Sequence, residues 1–256
     1  SLGLGIEQNN MDYRPALDSW FQTELGQILL AQEQRAVSER LARLYGLNLL
    51  QLSGLSDQDF TRASNARYNH HLGAWAQDSS GAIAQYDALP LAQGSVDIVL
   101  LHHVLEFSQN PHQVLREVDR ILVPEGRVLI VGINPWSLFG LRTRALAAYG
   151  DSPWRGQLLS LSRMTDWLSL LDLRVSGINY LFHQLPLQTP RLLARTEAVW
   201  RHARHYSLPG GGVYLIEARK QVAGITPIRP RRSSWRPGMG ALGVVNPSVP
   251  ASKTLH

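Results

Sequence analysis

One stretch of this sequence, residues 85–132, constrains the fold more than any other. Val96–Leu101 is a nearly unbroken apolar run with one acid, Asp97, and this pattern is typical of a strand that is covered on both faces. Asn110 offers a side-chain cap, and Pro111 fits the first turn of a helix. The apolar residues that follow recur at helical spacing: Val114, Leu115, Val118, Ile121 and Leu122. The stretch therefore predicts a buried strand followed by an amphipathic helix.

A turn and a second strand are predicted after this helix. Pro124–Gly126 has the composition of a turn that stops the helix, and Arg127–Val131 is a second apolar, β-branched run. A strand, a helix and a parallel strand that follow one another form a right-handed βαβ unit. The sequence therefore predicts an α/β fold.

The same stretch resembles a known enzyme family. Five short motifs occur in it in order: Asp87–Pro90, Ser95–Asp97, Val104–Glu106, Leu115–Glu117 and Leu122–Gly126. Together they resemble class I S-adenosylmethionine-dependent methyltransferases of the type 11 subgroup, which includes ubiquinone and biotin biosynthesis enzymes. Asn134–Ser137 and the overall length are most similar to a small set of uncharacterised bacterial methyltransferase-like proteins. The resemblance covers residues 20–220, and it is stronger in the second half of the chain.

The resemblance implies a Rossmann-like sheet of seven strands, mostly parallel with an antiparallel last strand. The strands expected outside the βαβ unit are Leu47–Leu52, Leu72–Trp75, Gly81–Gln85, Leu173–Tyr180 and Val213–Ala218. The sixth strand is expected beside the fifth, and the last strand is expected to form a hairpin with the sixth.

The chain divides into three parts. Residues 1–45 are expected to be a helical N-terminal cover, because apolar residues between Trp20 and Leu44 fall mostly at helical spacing. Residues 46–220 are expected to form the methyltransferase-like domain. Residues 221–256, rich in proline and glycine, are expected to be a disordered tail.

The composition excludes several kinds of site and protein. There is no cysteine, so disulfides, thiolate nucleophiles and cysteine zinc sites are excluded. His202 and His205 in a predicted helix at 189–205 lack further ligands, and no metal is expected. No apolar run approaches the ~20 residues that span a bilayer, so no membrane partner is expected. The N-terminus lacks signal-peptide features, which makes the cytoplasm the expected location.

The net charge of +5 is carried entirely by the tail. Residues 221–256 contain five basic residues and no acid: Arg229, Arg231, Arg232, Arg236 and Lys253. The arginines surround Trp235, a combination that binds RNA or another anionic surface by charge and stacking. The alternative is a solubilising or tethering segment, and a nucleic-acid partner is the less favoured of the two interpretations.

The candidate cofactor residues follow three strands. The family has an acid and then a Gly-x-Gly-x-Gly turn at the carboxyl end of the first strand, whereas this chain has Gln51 in place of the acid, Ser53 and Leu55 where glycines are expected, and one glycine, Gly54. The resemblance places Gln51, Ser53 and Gly54 at the S-adenosylmethionine site. It also implies that Asp87 accepts a hydrogen bond from the adenine amino group, with Ala88 and Leu89 against the ring. A local turn-capping role is the alternative for Asp87.

His102 and His103 follow the fourth strand, at the edge where the resemblance places the transferring methyl group. A neutral imidazole can act as a base near pH 7, so both are candidate catalytic residues, and His102 is also a candidate cofactor contact. The alternative is that each caps the next helix or fills the pocket wall. Glu106 either orients a histidine or faces water.

The predicted function is transfer of a methyl group from S-adenosylmethionine to a small-molecule acceptor. The alternative is a non-catalytic, methyltransferase-like binding module that kept the sheet and lost the cofactor loop. A third hypothesis is an RNA-associated accessory protein that acts through the tail. The sequence identifies neither the acceptor nor the oligomeric state.

Overall fold

The computed structural model of the protein describes residues 14–56, 58–72, 86–148, 156–183 and 210–221. These residues contain six strands: β1 Asn48–Ser53, β2 Tyr68–Leu72, β3 Val96–His102, β4 Leu122–Ile133, β5 Leu173–Leu181 and β6 Val213–Lys220. They contain five α-helices: α1 Arg14–Phe21, α2 Glu24–Leu41, α3 Pro111–Ile121, α4 Leu138–Ala148 and α5 Leu161–Leu170. A short 3-10 helix, Thr61–Ala63, lies between β1 and β2.

The six strands form one mixed sheet in the order β2-β1-β3-β4-β6-β5. β1 pairs in parallel with β2 and β3, and β3 pairs in parallel with β4. β6 runs antiparallel to its two neighbours, β4 and β5. The predicted α/β fold, with a mostly parallel sheet and an antiparallel last strand, is therefore confirmed. The strand predicted at Gly81–Gln85 lies outside the described residues, so six strands of the expected seven are seen.

The second strand begins earlier than the sequence predicts. β2 spans Tyr68–Leu72, so it begins four residues before the predicted strand Leu72–Trp75, of which residues 73–75 lie outside the described part of the chain. The first three residues of β2 are exposed, and the strand pairs in register with β1 from Asn48 to Leu52. A reading of apolar runs missed this strand because backbone pairing, rather than side-chain burial, defines it.

The strand at Leu173–Tyr180, β5 in the structure, was predicted beside the strand at Arg127–Val131, which is part of β4, and this prediction is wrong. β6 lies between β4 and β5, although its hairpin pairing with β5 is as expected. Val213–Ala218 of β6 is buried throughout, whereas β5 after Leu173 is only half-buried or exposed. The strand that is buried on both faces takes the inner position, and the more polar strand takes the outer one.

Two local predictions in the βαβ unit are also corrected. α3 ends at Ile121 and β4 begins at Leu122, so Pro124–Gly126 lies within β4 and not in a separating turn. These residues instead interrupt the pairing with β3, which passes from Leu122 to Arg127. Asn110 makes no side-chain cap bond to α3, and its backbone oxygen accepts the first hydrogen bonds of the helix.

Helices cover both faces of the sheet. Neighbouring residues of β3 point to opposite faces, so Leu101 joins the core with α3 and α5 while Leu100 joins the core with α1 and α2. α1 and α2 are the helices predicted near Trp20 and Leu44, and Thr23 Oγ1 caps α2 by accepting from Gly26 N at 3.2 Å. Among the helices described, none combines the length and the apolar character that a membrane crossing requires.

Some predictions concern parts of the chain outside the described residues. These are the third strand, the helix at 189–205 with its two histidines, and the tail from residue 222 onward. The division into 1–45, 46–220 and 221–256 stays a prediction.

Candidate functional site

The carboxyl ends of β1 and β3 meet at one edge of the sheet, and the segment before β3 joins them. Gly54 N donates to His102 O over 2.8 Å. Tyr86 Oη donates to Ser53 O over 2.9 Å. Open α/β sheets bind their ligands at this edge. The structure thus brings together three predicted site residues, Ser53, Gly54 and His102, with Tyr86, which the sequence did not single out.

The packing at this edge requires the single glycine of the loop. A Cβ atom at position 54 would lie 2.4 Å from the backbone oxygen of His103. Only glycine lets the loop pass so close to the residues that follow β3. The structure thus gives a packing reason for glycine at position 54, whereas the role of Gly54 at a cofactor site stays a prediction.

The side chains of Gln51 and Asp18 form hydrogen bonds with the loop that follows β1. Gln51 Nε2 donates to Gln58 O, and Gln51 Oε1 accepts from Phe60 N at 2.9 Å. Asp18 of α1 accepts from Ser56 N at 3.0 Å and from Ser56 Oγ at 2.7 Å. Gln51 is buried inside β1, two residues before its end, so it acts on the loop and not at the edge itself.

Helix α3 fixes the backbone of the segment that contains Asp87. Leu89 N donates to Glu117 Oε2 over 3.1 Å, and Arg120 Nη2 donates to Leu89 O over 3.0 Å. The hydrogen bond from Arg120 lowers the pKa of Glu117, although burial opposes this, so the acceptor stays ionised. Asp87 is half-buried, Ala88 is exposed and Leu89 is buried. Within the described residues the Asp87 carboxylate makes no hydrogen bond or ion pair, which leaves it available to a ligand.

Four buried side chains form the Glu33 cluster: Glu33 of α2, His102, His103 and Glu106. Glu33 Oε2 lies 3.1 Å from His102 Nε2, and Glu33 Oε1 lies 2.9 Å from His103 Nε2. Glu106 Oε1 lies 3.1 Å from His103 Nδ1 and accepts from Ile133 N at 2.9 Å. Of the two roles considered for Glu106, the structure shows the orientation of a histidine.

The charges of this cluster follow from its contacts. Burial raises the pKa of Glu33, but the charge of His103 and hydrogen bonds from both imidazoles outweigh it and lower the pKa to about 2. Burial lowers the pKa of His103, but the charge of Glu33 and the hydrogen bonds to Glu106 and Glu33 raise it to about 10. Burial holds the pKa of His102 below its usual value. At neutral pH, Glu33 is therefore an anion, His103 a cation and His102 neutral.

Comparison with known proteins gives the family. A family model described as a methyltransferase domain matches residues 33–130. The chain is also 34% identical over 175 residues to the uncharacterized protein YafS of Escherichia coli strain K12, a match that covers 67% of this chain and 70% of that protein. This chain belongs to the methyltransferase family.

Two solved structures share the fold of this methyltransferase-family chain. One is a chain in the complex between the Haloferax volcanii Trm112 methyltransferase activator and a methyltransferase, with a TM-score of 0.60, 15% identity, and coverage of 80% of this chain and 98% of that one. The other is a SAM-dependent methyltransferase of Thermotoga maritima, with a TM-score of 0.55, 13% identity, and coverage of 76% and 92%. At these identities the likeness shows the fold alone.

The two histidines of this methyltransferase-family chain differ in the chemistry they can perform. His103 carries a proton on both ring nitrogens, so it cannot accept another at neutral pH. His102 is neutral, and its Nδ1 lies 3.2 Å from Ser53 Oγ. Neither ring has exposed surface. Any influence on a ligand at the edge must therefore pass through a neighbour such as Ser53.

Glu33, His102 and His103 are also residue types that bind metals. One ligand atom from each lies within 4.8 Å of the others, so the set could hold a metal ion. The same atoms are already joined by hydrogen bonds of 2.9 and 3.1 Å, and the cation of His103 faces the anion of Glu33. In this structure the Glu33 cluster is therefore held together by hydrogen bonds and by the ion pair of Glu33 with His103.

Sequence reasoning missed Glu33, although α2 carries a signal for it. The buried stripe of this helix recurs every four residues: Leu25, Leu29, Glu33, Val37 and Leu41. An acid in the middle of an apolar stripe is buried with it, and a buried carboxylate requires partners. That pattern predicts a hidden polar contact, but it does not identify residues about 70 positions away as the partners.

Proposed function

We propose that this protein transfers a methyl group from S-adenosylmethionine to a small-molecule acceptor. The observation that carries the proposal is the meeting of Ser53 and Gly54 with Tyr86, the residue before Asp87, at the carboxyl edge of a methyltransferase-family sheet. Bound S-adenosylmethionine supplies an electrophilic methyl group on its sulfonium sulfur. The part of the protein is to hold acceptor and methyl group in line, because orientation alone accounts for a large share of such a barrier.

Asp87 is proposed to accept a hydrogen bond from the adenine amino group. Its carboxylate has no partner within the described residues, while its backbone neighbour Leu89 is held by Glu117 and Arg120. An acceptor on a fixed backbone is well suited to select one edge of a flat ring. Ala88 is exposed beside it, whereas the Leu89 side chain is buried in the core.

Ser53 and Gly54 are proposed to begin the loop that faces the amino-acid part of the cofactor. Gln51 supports this loop from inside β1 through Gln58 and Phe60. His102 and His103 are proposed to act on the reaction side of the edge by positioning, since neither buried ring has to accept a proton for an in-line transfer.

Titration calorimetry with S-adenosylmethionine and S-adenosylhomocysteine tests this function. We expect micromolar binding by the wild type, and a loss of about tenfold or more in Asp87→Ala, because a hydrogen bond to a charged group contributes about 1.5–3 kcal/mol. Asp166→Ala is the matched control, since Asp166 is an exposed aspartate of α5. Unchanged affinity in Asp87→Ala would contradict the adenine assignment.

A non-catalytic binding module is the second candidate. Two observations favour it. Gln51 stands where the family has an acid, and its amide is hydrogen-bonded to the backbone of the loop; Leu55 is buried where the family has a glycine. Absence of both heat and thermal stabilisation at millimolar S-adenosylmethionine would reject the enzyme and leave this alternative.

A further inference from the structure

The loop after β1 has one glycine, Gly54, where the family pattern has three. Ser53 Oγ accepts a hydrogen bond from Leu55 N at 3.1 Å, which closes the turn at the end of the strand. The same oxygen lies 3.2 Å from His102 Nδ1. The serine hydroxyl therefore connects the loop to the end of β3.

The direction of each hydrogen bond in this connection is fixed by its neighbours. Glu33 is ionised and can only accept, so His102 Nε2, 3.1 Å from Glu33 Oε2, carries a proton and donates it. The neutral ring has no second proton, so His102 Nδ1 accepts from the Ser53 hydroxyl. A lone pair of Ser53 Oγ then accepts from Leu55 N. The chain runs in one direction, from Leu55 through Ser53 and His102 to Glu33.

Glu33 is the last acceptor in this series of hydrogen bonds, and its position is fixed by burial and by a second hydrogen bond. It lies in the middle of α2 with no exposed surface, and its other oxygen accepts from His103 Nε2 at 2.9 Å. Water does not compete for the carboxylate, so the tautomer of His102 depends on Glu33. The carboxylate that orients the Ser53 hydroxyl therefore belongs to helix α2 and not to the loop.

We infer that Glu33 is a positioning residue for the cofactor loop, which it holds through His102 and Ser53. The inference rests on the proposed function for the ligand that the loop receives. Without this carboxylate, nothing fixes which atoms donate and which accept in the hydrogen bonds from Leu55 to Glu33. The loop then spends less time in the conformation that binds the cofactor.

Two single substitutions and their combination test the inference. Glu33→Gln leaves one acceptor oxygen for two imidazole donors, and Ser53→Ala removes the hydroxyl that joins Leu55 N to His102. We expect each to weaken S-adenosylhomocysteine binding about tenfold, the effect of one lost hydrogen bond. The double variant should lose about tenfold as well, and not about a hundredfold, because both changes break the same chain. Glu39→Gln is the matched control, since Glu39 is an exposed acid of α2.

Two further measurements, a spectrum of the wild type and amide exchange in the variants, need no cofactor. The imidazole ¹⁵N spectrum should show His102 as a neutral ring with its proton on Nε2, and the Leu55 amide should exchange faster in both single variants than in Glu39→Gln. Another tautomer, unchanged exchange, or independent effects on affinity would overturn the inference. A wild type that binds no cofactor would reject the proposed function, and the spectrum and the exchange rates would still decide whether Glu33 holds the loop. If Glu33→Gln does not fold, Ser53→Ala and the wild-type spectrum give the answer.

Discussion

Glu33 and His103 carry opposite charges at a place that water does not reach, and this makes the stability of the protein depend on pH. The pKa of Glu33 falls from 4.5 to about 2, so the stabilisation it provides is present above pH 4.5 and is lost as the pH falls towards 2. The pKa of His103 rises from 6.5 to about 10, so its stabilisation is complete below pH 6.5 and is lost as the pH rises through 10. Both describe one interaction, which is strongest between these limits.

We therefore expect the free energy of unfolding, measured in urea from pH 3 to 10, to be highest between pH 4.5 and 6.5 and to fall on both sides. Glu33→Ala should cost about 3–5 kcal/mol near pH 6, because it leaves His103 buried without its main counter-charge. The same substitution should flatten the decline at both ends. Glu39→Ala on the exposed side of α2 should leave the profile unchanged, and a Glu33→Ala profile parallel to that of the wild type would contradict the assignment.

At the scale of elements, helix α3 links the core of the sheet to the segment that carries Asp87. Arg120 donates to the backbone oxygens of Leu89 and Leu91 and pairs with Glu117, which holds Leu89 N. Arg120→Ala should loosen this segment and weaken S-adenosylhomocysteine binding about tenfold, whereas the free energy of unfolding should change by only about 1 kcal/mol, as is usual for partly exposed pairs.

Arg116→Ala provides the control for that experiment. Arg116 lies on the same helix and is exposed, so its removal changes the charge of α3 without touching the segment 86–91. Calorimetry should separate the two variants by about tenfold in affinity, whereas their free energies of unfolding should differ by only about 1 kcal/mol. Equal affinities in Arg116→Ala and Arg120→Ala would show that α3 does not position the segment.

The sequence predicted those elements whose signals are local. β3 is an apolar run, and α3 has its apolar residues at helical spacing, so both were found close to their observed bounds. β2 was misplaced because its residues are polar and its pairing with β1 is not visible in its own composition. The order of β5 and β6 and the Glu33 cluster depend on contacts between distant parts of the chain, and a single sequence carries no direct signal for these.

At the scale of the whole molecule, charge separates the tail from the rest of the chain. Residues 221–256 carry all of the +5 excess, and the first 220 residues balance. Any affinity for single-stranded RNA should therefore require the tail arginines and fall steeply with salt, with a slope of log K against log salt of about −3 for four phosphate contacts. Replacement of Arg229, Arg231, Arg232 and Arg236 by Gln in the full chain should abolish both the affinity and the slope.

A matched variant makes this test specific for position as well as for charge. Replacing Arg35, Arg116, Arg163 and Arg174 by Gln removes the same number of charges from exposed sites before the tail. We expect that variant to bind RNA as the wild type does, since a general field effect weakens over the screening length of about 8 Å at physiological salt. Equal losses in the two variants would mean that net charge alone drives binding, and the tail would then be no specific contact. S-adenosylhomocysteine affinity should be the same in both, because none of these eight arginines is among the residues proposed to contact the cofactor.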